Sequence, residues 1–259
     1  MSTQAVATRR EEDQAAQHWR AGTATGDDNL RRRLLEVLLT PVERTRMMRP
    51  KMTYEEFLAW ADEDTLAEWV DGEVVMYSPA SKQHQDMTSF LYEMIRAYTR
   101  PRDMGEIVQA PFQMKLEHGR EPDLLFVARE HLNRLRKTYL DGPADLVVEI
   151  ISPESLDRDR GAKFAEYEAG GIPEYWLLDP VRRWAEFYRL GEDGRYRTAF
   201  AGAEGVYQTE ALPGFWLRVE WLWQEPLPHP LRALGEIVGL APEVVEQFLQ
   251  ALGGGAERV

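Results

Sequence analysis

Between residues 144 and 152 the chain reads ADLVVEIIS, a run that is apolar after Asp145 except for one carboxylate near its end, Glu149. A run of this kind marks a central strand covered on both faces. The stretch RDRGAKFAEYEAGG that follows reads as a helix stopped by a glycine pair, and EYWLLDP reads as the next strand. Strand, helix and strand in this order form a right-handed parallel crossover. The chain is therefore expected to be an α/β protein, with helices packed on a mixed central sheet.

The remaining segments extend that frame. Thr53 followed by Glu56 is a capping box ahead of the apolar face of TYEEFLAW. LAEWVDGEVVMYSP predicts a hairpin turning at Asp71-Gly72, with residues 74–77 in its second strand. From residue 81 to about 99, Met87, Leu91, Met94, Ile95 and Tyr98 recur at helical spacing, a long helix with one buried stripe. EIVQAPFQMKL and REPDLLFVA predict two strands joined at EHGR, and REHLNRLRK a short helix with a basic face. RWAEFYRLGEDGRYRTAFAG predicts a hairpin turning at Asp193-Gly194. This domain is expected over residues 51–225. It sits between an N-terminal extension, residues 1–50, partly unstructured or helical, and a C-terminal helical appendage, residues 226–259. Within the extension, NLRRRLLEVLL (29–39) has the pattern of a short amphipathic helix.

Composition narrows the function classes. The 259 residues contain no cysteine, which excludes a disulfide framework, a thiolate zinc site and a cysteine nucleophile. No apolar run approaches the roughly 18 residues of a membrane span, and the first residues lack the apolar core of a signal peptide. A cytoplasmic protein without membrane partners is expected. The formal net charge of −13 argues against non-specific binding to nucleic acid, although local basic residues or a metal ion can act on an acidic body. The chain has no Gly-rich phosphate loop, no GxSxG and no HExxH, and no organic cofactor is expected.

Glu149 shares a strand face with Asp145, Val147 and Ile151. Burying a lone carboxylate there costs several kcal/mol, so it needs a partner, a proton or a cation. The helix after the strand offers Lys163. A second acid, Asp123, follows Pro122, which belongs at a strand start because it cannot donate a ladder hydrogen bond. Two carboxylates on neighbouring strands suffice to anchor Mg2+ or Mn2+, which keep several waters. Structural alternatives stand beside each residue. Lys163 lies four residues after Asp159, the spacing of a helix ion pair. Asp123 can satisfy turn amides, and Glu149 can pair with Arg158 or Arg160.

Taken together, EPDLLFV, ADLVVEIISPES, DRDRGAKFAEYEAGGIPEYWLLDP and DGEVVMYSPASKQH resemble the Uma-type family of restriction-endonuclease-like proteins, within the PD-(D/E)XK nuclease superfamily. The resemblance spans 66 to about 190. It implies a restriction-endonuclease-like core, a Mg2+-dependent or Mn2+-dependent endonuclease activity on DNA, and a homodimer that cuts both strands. It implies Asp123 and Glu149 as metal ligands and Lys163 as the group assisting the attacking water. Ile151 stands where the superfamily has a strand lysine, and Lys163, in DRGAK, matches the family's shifted lysine. Glu73, after the hairpin turn, and His84, at the start of the long helix, are secondary candidates. The alternative is a catalytically silent nuclease-like fold that binds nucleic acid or a protein partner.

Overall fold

The computed structural model describes residues 51–61, 67–76, 81–152, 155 and 158–253. The expected helix at 29–39 lies outside them. The central element is a six-stranded sheet in the order β11-β10-β9-β8-β6-β3. Its middle strand, β8 (Leu146–Ile150), is buried along its whole length. It pairs in parallel with β9 (Glu174–Asp179) and antiparallel with β6 (Leu124–Ala128). The parallel pair encloses the crossover helix α3 (Phe164–Ala169), which ends at Gly170 and Gly171, the latter at φ 77°. β3 (Gly105–Gln109) closes one edge, and the hairpin of β10 (Trp184–Leu190) and β11 (Tyr196–Gly202) closes the other.

The alternation of side chains along β8 sorts two cores. Leu146, Val148 and Ile150 face the long helix α2 (Lys82–Thr99), whose Met87, Leu91, Met94 and Ile95 are buried against them. Val147 and Ile151 face the other way, among Leu125, Tyr167, Tyr175 and Leu177. The capping box at Thr53 is formed and opens α1 (Tyr54–Trp60). Hairpin β1 (Ala67–Val70) and β2 (Glu73–Met76) turns at Asp71 (φ 52°) and Gly72 (φ 87°), a left-handed pair of the kind that suits a tight hairpin.

The stretch between 105 and 122 departs from expectation. Its first predicted strand divides into β3 and β4 (Gln113–Lys115), which belong to different sheets. The second yields only a two-residue β5 (Gly119–Arg120) before β6. Pro111 and Pro122 supply the reason, since neither has an N–H to donate to a ladder. A second sheet therefore forms, in the order β2-β1-β5-β4-β7, its last strand β7 (Tyr139–Asp141) running parallel to β4. The predicted basic helix is a 3-10 turn, Arg129–Arg134.

Two further strands, β12 (Val206–Gln208) and β13 (Trp216–Arg218), add Tyr207 and Leu217 to the core under α2. Helix α4 (Pro230–Ile237) adds Ala233 and Ile237 to the same core, and α5 (Pro242–Gly253) follows it. Among the described residues no helix is long and apolar enough to cross a membrane.

Candidate active site

Glu149 is 3% exposed. Its Oε1 accepts hydrogen bonds from Lys163 Nζ at 2.8 Å and from the Tyr167 hydroxyl at 2.6 Å. Lys163 reaches the strand because the helix opens with a wide π-helical turn, Asp159–Lys163, before tightening into α3. Turns of this type are rare and recur at functional sites. The same ammonium lies 3.1 Å from Glu68 Oε1 and 3.6 Å from Asp159 Oδ1. The helix pair Asp159–Lys163 is thus present, but as one arm of a larger cluster. Arg160, an alternative partner for Glu149, goes instead to Glu186 at 2.8 Å.

Asp123 sits just before β6, beside β8. Its Oδ2 accepts the backbone N–H of Ile150 at 2.7 Å and faces His84 Nε2 at 3.1 Å. The amide-satisfying role and the contact to a candidate histidine therefore coexist on one oxygen. His84 stands in the first turn of α2, where its own N–H caps onto Ser81. Burial works against its positive charge, but Asp123 outweighs burial and raises its affinity for a proton. Because a carboxylate can only accept, Nε2 carries the hydrogen in this pair. Glu73 occupies the second sheet, opposite Val70 beside the turn of its hairpin.

From that hairpin, Glu68 enters the cluster, a residue that is not among the sequence candidates. It is fully buried on β1. Its Oε1 accepts the backbone N–H of Glu121 at 3.1 Å as well as facing Lys163, and its Oε2 accepts from Arg120 at 2.8 Å. Arg120 also clasps Glu166 on α3 through two nitrogens. The cluster thus ties the second sheet to the crossover helix. A glutamate on a short strand ahead of an Asp-Gly turn gives no local sign of burial; its partners come from more than fifty residues away.

The electrostatics follow from crowding. Glu68, Glu121, Asp123, Glu149 and Asp159 lie near one another, with Lys163 and Arg120 as buried cations. Burial, together with Asp159, Asp123 and Glu68, pushes the Glu149 carboxyl up to about 8, despite the nearby Lys163. Glu121 is likewise pushed up to about 8, first by burial and then by Glu68. Burial also raises Asp159, although Lys163 and Ser155 oppose it. Lys163, surrounded by Glu149, Glu68 and Asp159, keeps its proton more firmly than a free lysine, although burial opposes the charge.

A cation fits this donor set. Among the described residues, the hydrogen bonds to Glu149 fall on Oε1 and those to Asp123 on Oδ2, which leaves the second oxygen of each carboxylate to meet a ligand. Asp159 Oδ1 is buried without a hydrogen-bond partner among the described residues. Among those residues no three His, Asp or Glu side chains converge tightly enough to hold a metal. The fit is therefore to an ion that needs one or two carboxylates and keeps its waters.

The fold defines the class first. The chain superposes on a crystal structure from Anabaena variabilis ATCC 29413, titled a "putative nuclease belonging to DUF820". The TM-score is 0.57 at 16% identity, over 66% of this chain and 97% of that one. The two chains thus share one α/β fold. Residues 54–220, well over half of the chain, match the Uma2 family, described as "Putative restriction endonuclease". The chain belongs to the Uma2 family. No curated protein matches it.

Proposed function

We propose that the chain is a divalent-metal-dependent endonuclease that hydrolyses phosphodiester bonds of DNA. Asp123 and Glu149 would hold Mg2+ or Mn2+, and Lys163 would assist the attacking water. When bound, such an ion polarises a phosphoryl oxygen and makes hydroxide accessible near neutral pH. The chain's own residues orient the reaction. Lys163 offers an ammonium beside Glu149 where charge develops, and His84 fixes the rotation of Asp123. The observation that carries this reading is the 2.8 Å contact of Lys163 with Glu149 from a different element, while Ile151 fills apolar core. An acidic body approaches DNA through local cations and the metal, and a homodimer presents two sites to the two strands.

A second reading draws on the burial of Lys163 among three carboxylates. There the ammonium is a structural tie, and the fold is a silent one that binds nucleic acid or a protein. Cleavage of supercoiled, linear and single-stranded DNA in Mg2+ or Mn2+, beside calorimetric metal titration, separates the two. Under the nuclease reading, Asp123→Asn lowers cutting about a thousandfold and abolishes metal binding, whereas Lys163→Met loses cutting and keeps the ion. Unchanged cutting by Asp123→Asn overturns the assignment. Absence of both cutting and an Asp123-dependent ion in the wild type favours the silent fold.

A further inference from the structure

Helix α5 lies outside the span matched to the family and presents an apolar face to solvent. Val244, Phe248 and Leu252, spaced four residues apart, are 52%, 55% and 62% exposed. Leu240 extends the stripe at 50%. The adjoining face holds the helix in place, with Val245 buried close against Gly235 of α4. On the same chain, α2 and α4 bound a groove of about 670 Å3. Met94, Ala97, Leu231 and Leu234 form its apolar floor and walls, and Arg96 and Arg100 stand at its rim.

We propose that the Phe248 stripe of one copy seats in the α2–α4 groove of a second copy, and the reverse, forming a two-fold dimer. Three observations favour this occupant. The charged side chains of α5 are Glu243 and Glu246, and Arg232 engages Glu246. An acidic helix without cations on its polar face suits neither an anionic lipid surface nor nucleic acid. It complements Arg96 and Arg100 of the groove, which outnumber the one acid of its lining, Glu93. Area gives the third argument. Half-exposed side chains of this size offer on the order of 400 Å2 per stripe, so two seated stripes bury about 800 Å2 of their own surface, to which the groove walls add. Two α5 helices paired with each other bury the stripes alone. A reciprocal exchange also closes on itself and leaves no open end for filaments. This contact gives the dimer of the proposed function its surface, and association is read without cleavage, so either can fail alone.

The experiment is sedimentation velocity of the full chain over about 1–200 μM, with Phe248→Glu, Ala97→Arg and an equimolar mixture of the two. Both substitutions fall on exposed positions, and circular dichroism confirms that each variant folds. The wild type is expected to dimerise, and each variant alone to weaken association at least tenfold. The mixture should regain association, because one intact stripe still meets one intact groove. A monomeric wild type overturns the proposal, including the case in which another segment of the chain covers the stripe. Loss in Phe248→Glu with full dimerisation of Ala97→Arg assigns the stripe to α5–α5 pairing and overturns the groove. Full dimerisation of Phe248→Glu overturns the stripe.

Discussion

The two sides of β8 are equally dry and chemically opposite. On one side Leu146, Val148 and Ile150 meet α2 with no charge between them. On the other, Glu149 lies among Lys163, Glu68 and Asp159, all at most 3% exposed. Apolar burial stabilises by roughly 25 cal/mol per Å2 wherever it occurs. A buried ion pair carries a desolvation cost that its attraction only about balances, and apolar replacements of like shape often stabilise. The first side needs no explanation beyond folding. The second is retained at a cost, and the fold spreads that cost across two sheets and a crossover helix. The lesson is that around β8 the carboxylate–lysine cluster lies on one side of the strand only.

That contrast can be broken from either side. The largest change in stability is expected on the apolar face. Phe126, 1% exposed on β6, packs in the core under α2. Phe126→Ala should remove about 3–5 kcal/mol in denaturant unfolding, and a loss below 1 kcal/mol would mean that this face is loosely packed.

A smaller effect, with a characteristic pH dependence, belongs to the charged face. Folding raises the Glu149 carboxyl from 4.5 to about 8, mainly through burial. Across that window the folded chain keeps a proton that the unfolded chain has lost, so stability falls as pH rises. The metal-free protein should lose roughly 3–4 kcal/mol between pH 5 and 8, and Glu149→Gln should flatten the slope. A slope unchanged in that variant would assign the proton to Glu121, which shares the window.

The smallest effect marks the baseline for charges in water. Lys82 and Asp86 pair on the exposed start of α2, with side chains 86% and 49% exposed. Lys82→Ala should shift stability by no more than about 0.5 kcal/mol. A larger shift in a thermal melt would show that surface pairs matter more here than the buried set.

The same contrast explains what could be read from sequence. The apolar run at β8, the stripe of α2 and the glycine stop of α3 are local signals that match the structure. Lys163 was legible through its motif, and Glu149 through its anomaly in an apolar strand. Glu68 was not, because its burial depends on β1 pairing with β5 and on α3 closing over both. His84 meets Asp123 only once α2 is laid across β6, a contact with no trace in local spacing. Between 105 and 122 the hydrophobic pattern was sound, but Pro111 and Pro122 divided it between two sheets.

The wide turn at Asp159–Lys163 has a meaning in the language of sequence change. A π-helical turn amounts to one residue inserted into an α-helix, and one residue corresponds to about 100° around the helix axis. An insertion therefore re-aims a side chain further than any substitution does. It also leaves the neighbouring strands in register. A chain whose strand carries Ile151 can in this way bring an ammonium to Glu149 without disturbing a ladder hydrogen bond of β8. Deleting Gly161, where an added Cβ would meet open space, is the reverse edit.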